Sequence, residues 1–575
     1  MTASVLPTSP ASFAKATWAD IIPYYDELAE RPVDSDTVDE WLRTWSTLEE
    51  LVTEAAARAM IEYSIDTADP QKESDHLRFS SEILPRMEER TVGLARRLIE
   101  SGLRRPDMAT TLRRFETAIA LFREANVPIF AEAEQLAARY QRITGSMTAM
   151  WEGEERPLPQ LQPYLKSAER PARERAWHVI TAPYLAARDT LAELFDRMYA
   201  LRQQAAHNAG FANFRDYIFP AKFRFDYGPA DCERLHGAIE STVVPAVERL
   251  FEQRRHRLGI AEIRPWDLQV DPWRAAPLKP FETVDELVAG ARRVFGRVSP
   301  DLGGEFQTMI DLGLLDLASR RGKAPGGYCE TLQYQGRPFI FMNAVGIAED
   351  VNTLLHEAGH AFHAFAARAQ PFIWQRQPGA EAAELASMSM ELIAARHLVR
   401  PTGYFTPDEA RSARLEHLED VLISLAHIAS VDAFQHWIYA SGQGHDAAAR
   451  DEAWLRIRAR FERGIDWSGL ETERIARWYR QLHIFLHPFY YIEYAIAEIG
   501  ALQVWRNSLR DPTSAVAHYR RALSLGSTRP LPSLYQAAGV ELSFDAKLLG
   551  DLVALVEEHI EELRGAVATP DAPAA

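Results

Sequence analysis

Asp350-Val351-Asn352-Thr353-Leu354-Leu355-His356-Glu357-Ala358-Gly359-His360-Ala361-Phe362-His363 carries two histidines four residues apart with a glutamate after the first. Its apolar residues recur at three- and four-residue steps, the period of a helix. On a helix such histidines lie one above the other, so His356 and His360 can direct both imidazoles at one metal ion. Glu357 stands beside His356 and can reach a water held there without occupying the metal. Leu354, Leu355, Ala358 and Phe362 bury the flanking faces. In 575 residues with 17 His and 81 acidic residues, such a motif arises by chance about 0.07 times.

A catalytic zinc site needs a third protein ligand and leaves one place open for water. A third histidine at metzincin spacing would fall on Ala366, which excludes that branch. The alternative is a glutamate from a second helix, and one begins after Pro378-Gly379 with Glu381-Ala382-Ala383-Glu384-Leu385-Ala386-Ser387-Met388-Ser389-Met390-Glu391. Glu384 sits among small residues that permit close helix approach and is the expected third ligand. Glu391, two turns on, shares its face and is the expected partner of a ligand histidine. Donors of the N, N, O type with an open place point to one catalytic zinc ion as cofactor.

Outward from this centre the chain reads as mainly α. From Ser35 onward, Val38, Trp41, Leu42, Trp45, Leu48, Val52, Ala55, Ala59 and Tyr63 keep a helical period, with Ser35 or Asp36 as the expected N-cap. Pro85 is expected to bend or break the helical run Glu73–Glu100. An extended stretch is expected at Met147–Gly153. Gly322–Tyr328 is a glycine-rich turn, and Arg337-Pro338-Phe339-Ile340-Phe341-Met342 reads as a strand. Phe339–Met342 is expected to offer an exposed edge on which an extended peptide adds as a further strand, which makes Phe339 and Phe341 candidate substrate-binding residues. Gly326, Gly327 and Tyr328 are read as a turn that closes over substrate. The domain reading is an N-terminal helical domain at 1–200, a catalytic domain at 201–565 and a disordered Ala- and Pro-rich tail at 566–575.

Sixty-four basic against 81 acidic residues give a net charge of −17, which disfavours nucleic acid and anionic membrane as partners. Two cysteines, Cys232 and Cys329, read as packed thiols in a reducing cytoplasm. The N-terminus shows neither a basic start nor an apolar stretch of leader length, and no stretch of about 18 apolar residues predicts a membrane span. Apart from His356, His360, His363, His483 and His487, the histidines, including His236, His427 and His436, are expected to stand alone.

The chain resembles the thimet-oligopeptidase-like metallopeptidases, in particular the bacterial oligoendopeptidase F and Pz-peptidase branch. The resemblance rests on His356-Glu357-Ala358-Gly359-His360-Ala361-Phe362-His363 and on Ala383-Glu384-Leu385-Ala386-Ser387. Ala324–Cys329, Pro338–Asn343 and His483-Ile484-Phe485-Leu486-His487-Pro488-Phe489-Tyr490-Tyr491-Ile492-Glu493-Tyr494 extend it. It implies a zincin of the gluzincin type, mainly α, clamp-like and two-lobed, with a small β-sheet beside the zinc helix and the metal in a deep channel that admits oligopeptides. It also implies that Glu357 is the general base. His483, Tyr494 and either Tyr491 or Tyr490 would supply hydrogen bonds to the oxyanion, and His363 would support the ligands. Two other readings remain. An aminopeptidase would need an acid in Phe341-Met342-Asn343-Ala344, and there is none, whereas Arg224 and Arg337 suit a carboxypeptidase that grips a terminal carboxylate. A helical binding scaffold with an accidental motif would hold no zinc.

Overall fold

The computed structural model describes residues 6–274, 278–320, 322–324 and 326–565. The tail expected at 566–575, and Pro325 of the glycine-rich turn, lie outside them. The chain is mostly helical with two small sheets. It packs as two units, each drawn from three segments: Met1–Phe122, Lys279–Ala410 and Gly500–Leu542 form the first, and Arg123–Leu278, Arg411–Ile499 and Ser543–Ala575 the second. The division expected at residue 200 does not describe this packing. Residue 200 falls inside the helix Arg188–Asn208, whose buried Leu191, Leu194, Phe195, Met198 and Leu201 all belong to the second unit.

In the first unit the opening helical period holds. Val38, Trp41, Leu42, Trp45, Leu48 and Val52 are buried in the helix Val38–Ile65. Its cap differs from expectation: the helix starts after Thr37, and the Asp34 carboxylate accepts the Asp36 and Thr37 amides at 2.9 and 3.1 Å. An Asp two or three residues upstream thus holds the turn that Ser35 or Asp36 was expected to cap. The run around Pro85 breaks into Pro70–Leu77, a wider π-type segment Arg78–Ile83 and Leu84–Glu100. Pro85 sits in the first turn of the last helix, where its missing N–H is not needed.

This helical scaffold braces the segment between the two helices of the site. Trp45 and Trp374 both donate their indole N–H to the buried Glu49 carboxylate, at 2.6 and 2.8 Å, and Ile373 N–H donates to Ser46 Oγ at 2.9 Å. Trp45, Phe115 and Trp374 pack ring to ring around them.

The sheet of the first unit has three strands. Arg337–Ala344 lies in the middle, parallel to Leu315–Ala318 on one side and antiparallel to Tyr328–Leu332 on the other. The exposed edge expected on Phe339–Met342 is therefore not there. Both of its ladders are filled, and Phe339, Ile340, Phe341 and Met342 are all buried. Pro338, opposite Thr331 near the strand's start, spoiled nothing because the missing donor falls at the end of the ladder. Among the described strands, the outer edge on that side belongs to Tyr328–Leu332.

In the second unit the expected extended stretch is a hairpin, Thr148–Trp151 paired with Glu154–Pro157. The helix Pro407–Ala440 is long and apolar enough by composition to cross a bilayer, the one such helix among the described residues. Since 72% of its most apolar window is buried within the protein, it has the character of a core helix.

The histidine helix Ala348–Ala367 leaves the middle strand through the turn Val345–Ile347. All three amides of that turn donate to Asp350 Oδ2, at 2.8, 2.8 and 3.0 Å, which fixes where the helix begins. It packs on the helix Ala380–Ala394, and the closest approach is at Gly359. A Cβ there would lie 2.5 Å from Ser387 Cα and 2.7 Å from the Ala386 carbonyl oxygen. Only glycine fits between two backbones this close. Gly359→Ala is expected to cost about 1–3 kcal/mol by overpacking, read as a lower urea midpoint. Gly93→Ala, in Leu84–Glu100 with open space around it, should leave the midpoint unchanged or raise it.

Candidate active site

His356 and His360 lie one turn apart, their rings edge to face at 83° with centroids 4.9 Å apart, on the face turned toward Glu384. Their Nε2 atoms stand 3.3 and 3.7 Å from Glu384 Oε2, and one donor atom from each of the three residues lies within 4.8 Å of the others. The carboxylate comes to the histidines because the glycine contact lets its helix approach. Glu384 is buried, whereas the two rings keep 23 and 21% of their side-chain surface exposed. The group can hold a metal ion and leave one side of it reachable.

Glu391 lies two turns beyond Glu384 and accepts from, or shares a proton with, His356 Nδ1 at 2.7 Å. That contact fixes the ring and turns its Nε2 toward Glu384. Ser387 shares its hydroxyl proton between the Glu384 carbonyl at 3.0 Å and Glu384 Oε2 at 3.1 Å. No role for Ser387 is expected from the sequence, although its i+3 spacing from Glu384 places it on the same face. Glu381 is also buried.

Burial opposes charge on both rings. On His356 the Glu384 and Glu391 carboxylates outweigh it and hold the pKa well above the ordinary imidazole range. On His360 burial wins over the pull of Glu384, and the pKa falls to about 4. Burial also pushes Glu357 up to about 7, against the pull of His356. Glu357 is buried beside the ligands, and a Cβ at Gly327 would come 3.6 Å from its Oε1. The Cys329 thiol is held well above its usual range by burial first and by Glu357 second.

The glycine-rich turn is tied down at several points. Thr67 N–H donates to the Gly322 carbonyl at 2.7 Å and Ala324 N–H to Ser64 O at 2.8 Å. The Asn343 amide donates to the carbonyls of Ala324 and Gly326 at 2.7 and 3.0 Å. Tyr328, expected to close over substrate, is instead the first residue of the edge strand and stacks on Phe341 at 4.8 Å and 10°. Its place in the ladder leaves it no swing. His363 is buried with neither ring nitrogen in a hydrogen bond, and burial drives its pKa to about 3. Its expected support of a ligand through a hydrogen bond is not seen.

The His/Tyr segment belongs to the second unit. There Tyr491, Tyr490 and Tyr494 surround His483, with ring centroids at 4.9, 5.7 and 6.0 Å. Tyr491 donates its hydroxyl to Gln481 Oε1 at 3.0 Å, and burial raises its pKa to about 12. Lys222 Nζ lies 5.0 Å over the Tyr490 ring. Arg224 is buried and pairs with Glu493 at 2.7 Å. Two histidines expected to stand alone, His236 and His436, meet at Asp432 in this unit, and His427 lies 2.8 Å from Arg458 Nη1.

The sequence profile of peptidase family M3 matches residues 163–553, and that of the M3 N-terminal domain matches residues 9–105. The chain is 24% identical over 337 residues to an oligoendopeptidase F homolog of Borreliella burgdorferi, covering 56% of this chain and 54% of the relative. It is 22% identical over 421 residues to oligopeptidase PepF of Bacillus subtilis, covering 70 and 58%. It spans about half the length of the first of these curated relatives. Among solved structures, Pz peptidase A with inhibitor 2 superposes with a TM-score of 0.87 at 26% identity, over 97% of this chain and 98% of that one. On a match that takes in both site helices and most of its length, the chain belongs to peptidase family M3.

Proposed function

We propose that this chain is a zinc endopeptidase that hydrolyses internal bonds of short, unstructured oligopeptides in the cytoplasm. One observation carries the reading: His356, His360 and Glu384 converge from two helices while Glu357 stands beside them, outside the ligand set. Ligands about 2.0–2.1 Å from a tetrahedral zinc stand roughly 3.3–3.4 Å apart. The 3.3 and 3.7 Å separations from Glu384 to the two rings fit that spacing and are long for hydrogen bonds. Two imidazoles and a carboxylate with an open place are also the donor set of catalytic zinc sites. When bound, zinc supplies the Lewis acidity that makes water a nucleophile near neutral pH.

The chain's own residues do the rest. Glu391 accepts a hydrogen bond from the Nδ1–H of His356, which fixes the tautomer whose Nε2 carries the lone pair. Glu357 removes a proton from the attacking water, holds it, and returns it to the leaving amine. A carboxyl that burial keeps near neutrality suits both halves of that transfer. We assign Tyr494 and Tyr491 with His483, and Tyr490 as the alternative phenol, to hydrogen-bond the oxygen on which negative charge grows. The outer edge of Tyr328–Leu332 takes over the strand-addition role first read into Phe339–Met342. There, backbone hydrogen bonds hold a peptide with little regard to its side chains. Gly326 and Gly327 leave room for it beside Glu357.

Two observations support internal cleavage over trimming from an end. Arg224 already pairs with Glu493 and the Phe489 carbonyl in a buried place, so it does not suit a terminal carboxylate. No acid stands in Phe341–Ala344 to bind a free amine, and Asn343 there holds the glycine-rich turn.

Mass-spectrometric mapping of peptides blocked at both termini tests the reading. Internal cuts abolished by a chelator and restored by zinc are expected, and release of terminal residues from unblocked peptides alone would overturn it. Glu357→Gln should retain zinc yet lose about 10²–10⁴-fold in kcat. Glu391→Gln should weaken zinc binding about 10–100-fold, measured by competition with a chromogenic chelator. Tyr494→Phe should lower kcat about 10²–10³-fold with little change in KM.

A further inference from the structure

A second set of metal-ligating side chains lies inside the second unit. The helix Pro229–Leu258 carries Cys232 and His236, and the helix Pro407–Ala440 carries Asp432 and His436. Each pair is four residues apart, so each helix presents two donors on one face. The two faces meet. His236 Nε2 is 2.8 Å from Asp432 Oδ2, and His436 Nε2 is 3.2 Å from the same oxygen. Cys232, Asp432 and His436 each bring one donor atom within 4.8 Å of the other two. Cys232 and Asp432 are 0% exposed, His236 4% and His436 6%.

This cluster does not close on itself as a hydrogen-bonded network. Asp432 Oδ1 and both ring nitrogens of His436 are buried without a hydrogen-bond partner, and His436 Nε2 approaches Asp432 Oδ2 only to 3.2 Å. Buried polar atoms without partners are rare in folded proteins, and each calls for an explanation. The surroundings are apolar: the rings of Phe489 and Phe219 flank His436 at 5.4 and 6.1 Å. His436 Nδ1 looks out toward Glu233 Oε1 at 3.8 Å, so Nε2 is the nitrogen turned inward.

We propose that Cys232, Asp432 and His436 hold a second divalent metal ion, with zinc the preferred one, and that His236 orients the Asp432 carboxylate. A thiolate and a carboxylate balance the two charges of such an ion, the usual condition for burying charge. A soft thiolate beside imidazole selects zinc over magnesium or calcium. Tetrahedral zinc would draw the donors to roughly 3.3–3.6 Å apart, an adjustment within reach of side-chain torsions. The ion joins two helices beside Phe489, whose amide donates to Gln435 Oε1 at 2.7 Å, one residue before His436. Phe489 opens the turn into Tyr490, Tyr491 and Tyr494, so the metal has a positioning role for that segment. The proposal does not rest on the peptidase reading.

Cobalt(II) added to the metal-stripped full-length chain provides the test. The chain has two cysteines, so in a Cys329→Ala background a thiolate-to-cobalt charge-transfer band reports Cys232 alone. The band is expected to saturate by two equivalents of added cobalt, to be displaced by zinc, and to survive His356→Ala/His360→Ala, where it saturates at one. Metal analysis should find two zinc ions per wild-type chain and one in that double variant. Absence of the band in the wild-type chain, or no metal in the double variant, overturns the proposal. Cys232→Ser should abolish the band; if that variant fails to fold, the band in the Cys329→Ala protein still decides. Loss of peptidase activity in the double variant with the band intact separates this site from the proposed catalytic one.

Discussion

At Gly359 the histidine helix has no side chain, and the glutamate helix comes in until its Ser387 Cα and Ala386 carbonyl fill the space a methyl group would need. The candidate site depends on this contact. A carboxylate side chain reaches only a few ångströms from its backbone, so Glu384 can join His356 and His360 only if its helix lies nearly against theirs. Glycine inside a helix costs roughly 0.5–1 kcal/mol relative to alanine. Here that cost is offset by backbone-to-backbone packing that any larger residue would prevent. Tyr519 secures the same place from another side, donating its hydroxyl to the Ala386 carbonyl at 2.9 Å.

Around that contact, polar groups are ordered so that each donor has a defined direction. Asp350 gathers three amides and sets the first turn of the histidine helix. Glu391 orients His356, and Ser387 orients Glu384. Further out, Glu49 ties Trp45 of the opening helix to Trp374, in the link between the two site helices. The N-terminal helices carry no ligand and still bear on the site, because they limit how far that link can move. Its own burial, with Glu384 and Glu391 nearby, raises Glu357 to about 7, while the histidines and Ser387 bond or balance the other two carboxylates. The environment thereby gives neighbouring carboxyls different proton affinities, as the proposed division between ligand and proton carrier requires.

How much of this was legible in the sequence depended on how local each feature is. The histidine pair, Glu357, Glu384 and Glu391 were readable because fixed spacings on single helices place them, and the small residues around Glu384 signalled a close approach, though not that Gly359 makes it possible. The helix over Val38–Ile65 was readable for the same reason, since its apolar period extends over seven turns. The strand Arg337–Ala344 was readable as a strand but not as a central one. Its position depends on partners, Leu-Asp-Leu-Ala and Tyr-Cys-Glu-Thr-Leu, too short to announce themselves. Division of the chain into two units that each collect three distant segments has no local signature at all. Nor does the meeting of Cys232 with Asp432, which are 200 residues apart: each helix shows one i, i+4 pair, and only the packing shows that the pairs face each other.

The second unit shows the same economy of placement around Phe489. This residue adopts φ of 62°, a left-handed conformation that costs a bulky side chain of order 1–3 kcal/mol and persists only where the surroundings over-determine it. They do so here from three directions. Its amide is bound by Gln435, its carbonyl by Arg224, and its ring is buried between Phe219, His436 and Tyr439. Arg224 also binds Glu493, in the first turn of the helix Tyr491–Arg510 that follows, so a single guanidinium spans the turn and the helix start. The chain direction reversed at Phe489 is what lets Tyr490, Tyr491 and Tyr494 gather about His483 rather than spread along one face. A strained residue held this firmly, immediately before the helix Tyr491–Arg510, fixes where Tyr490, Tyr491 and Tyr494 start relative to His483.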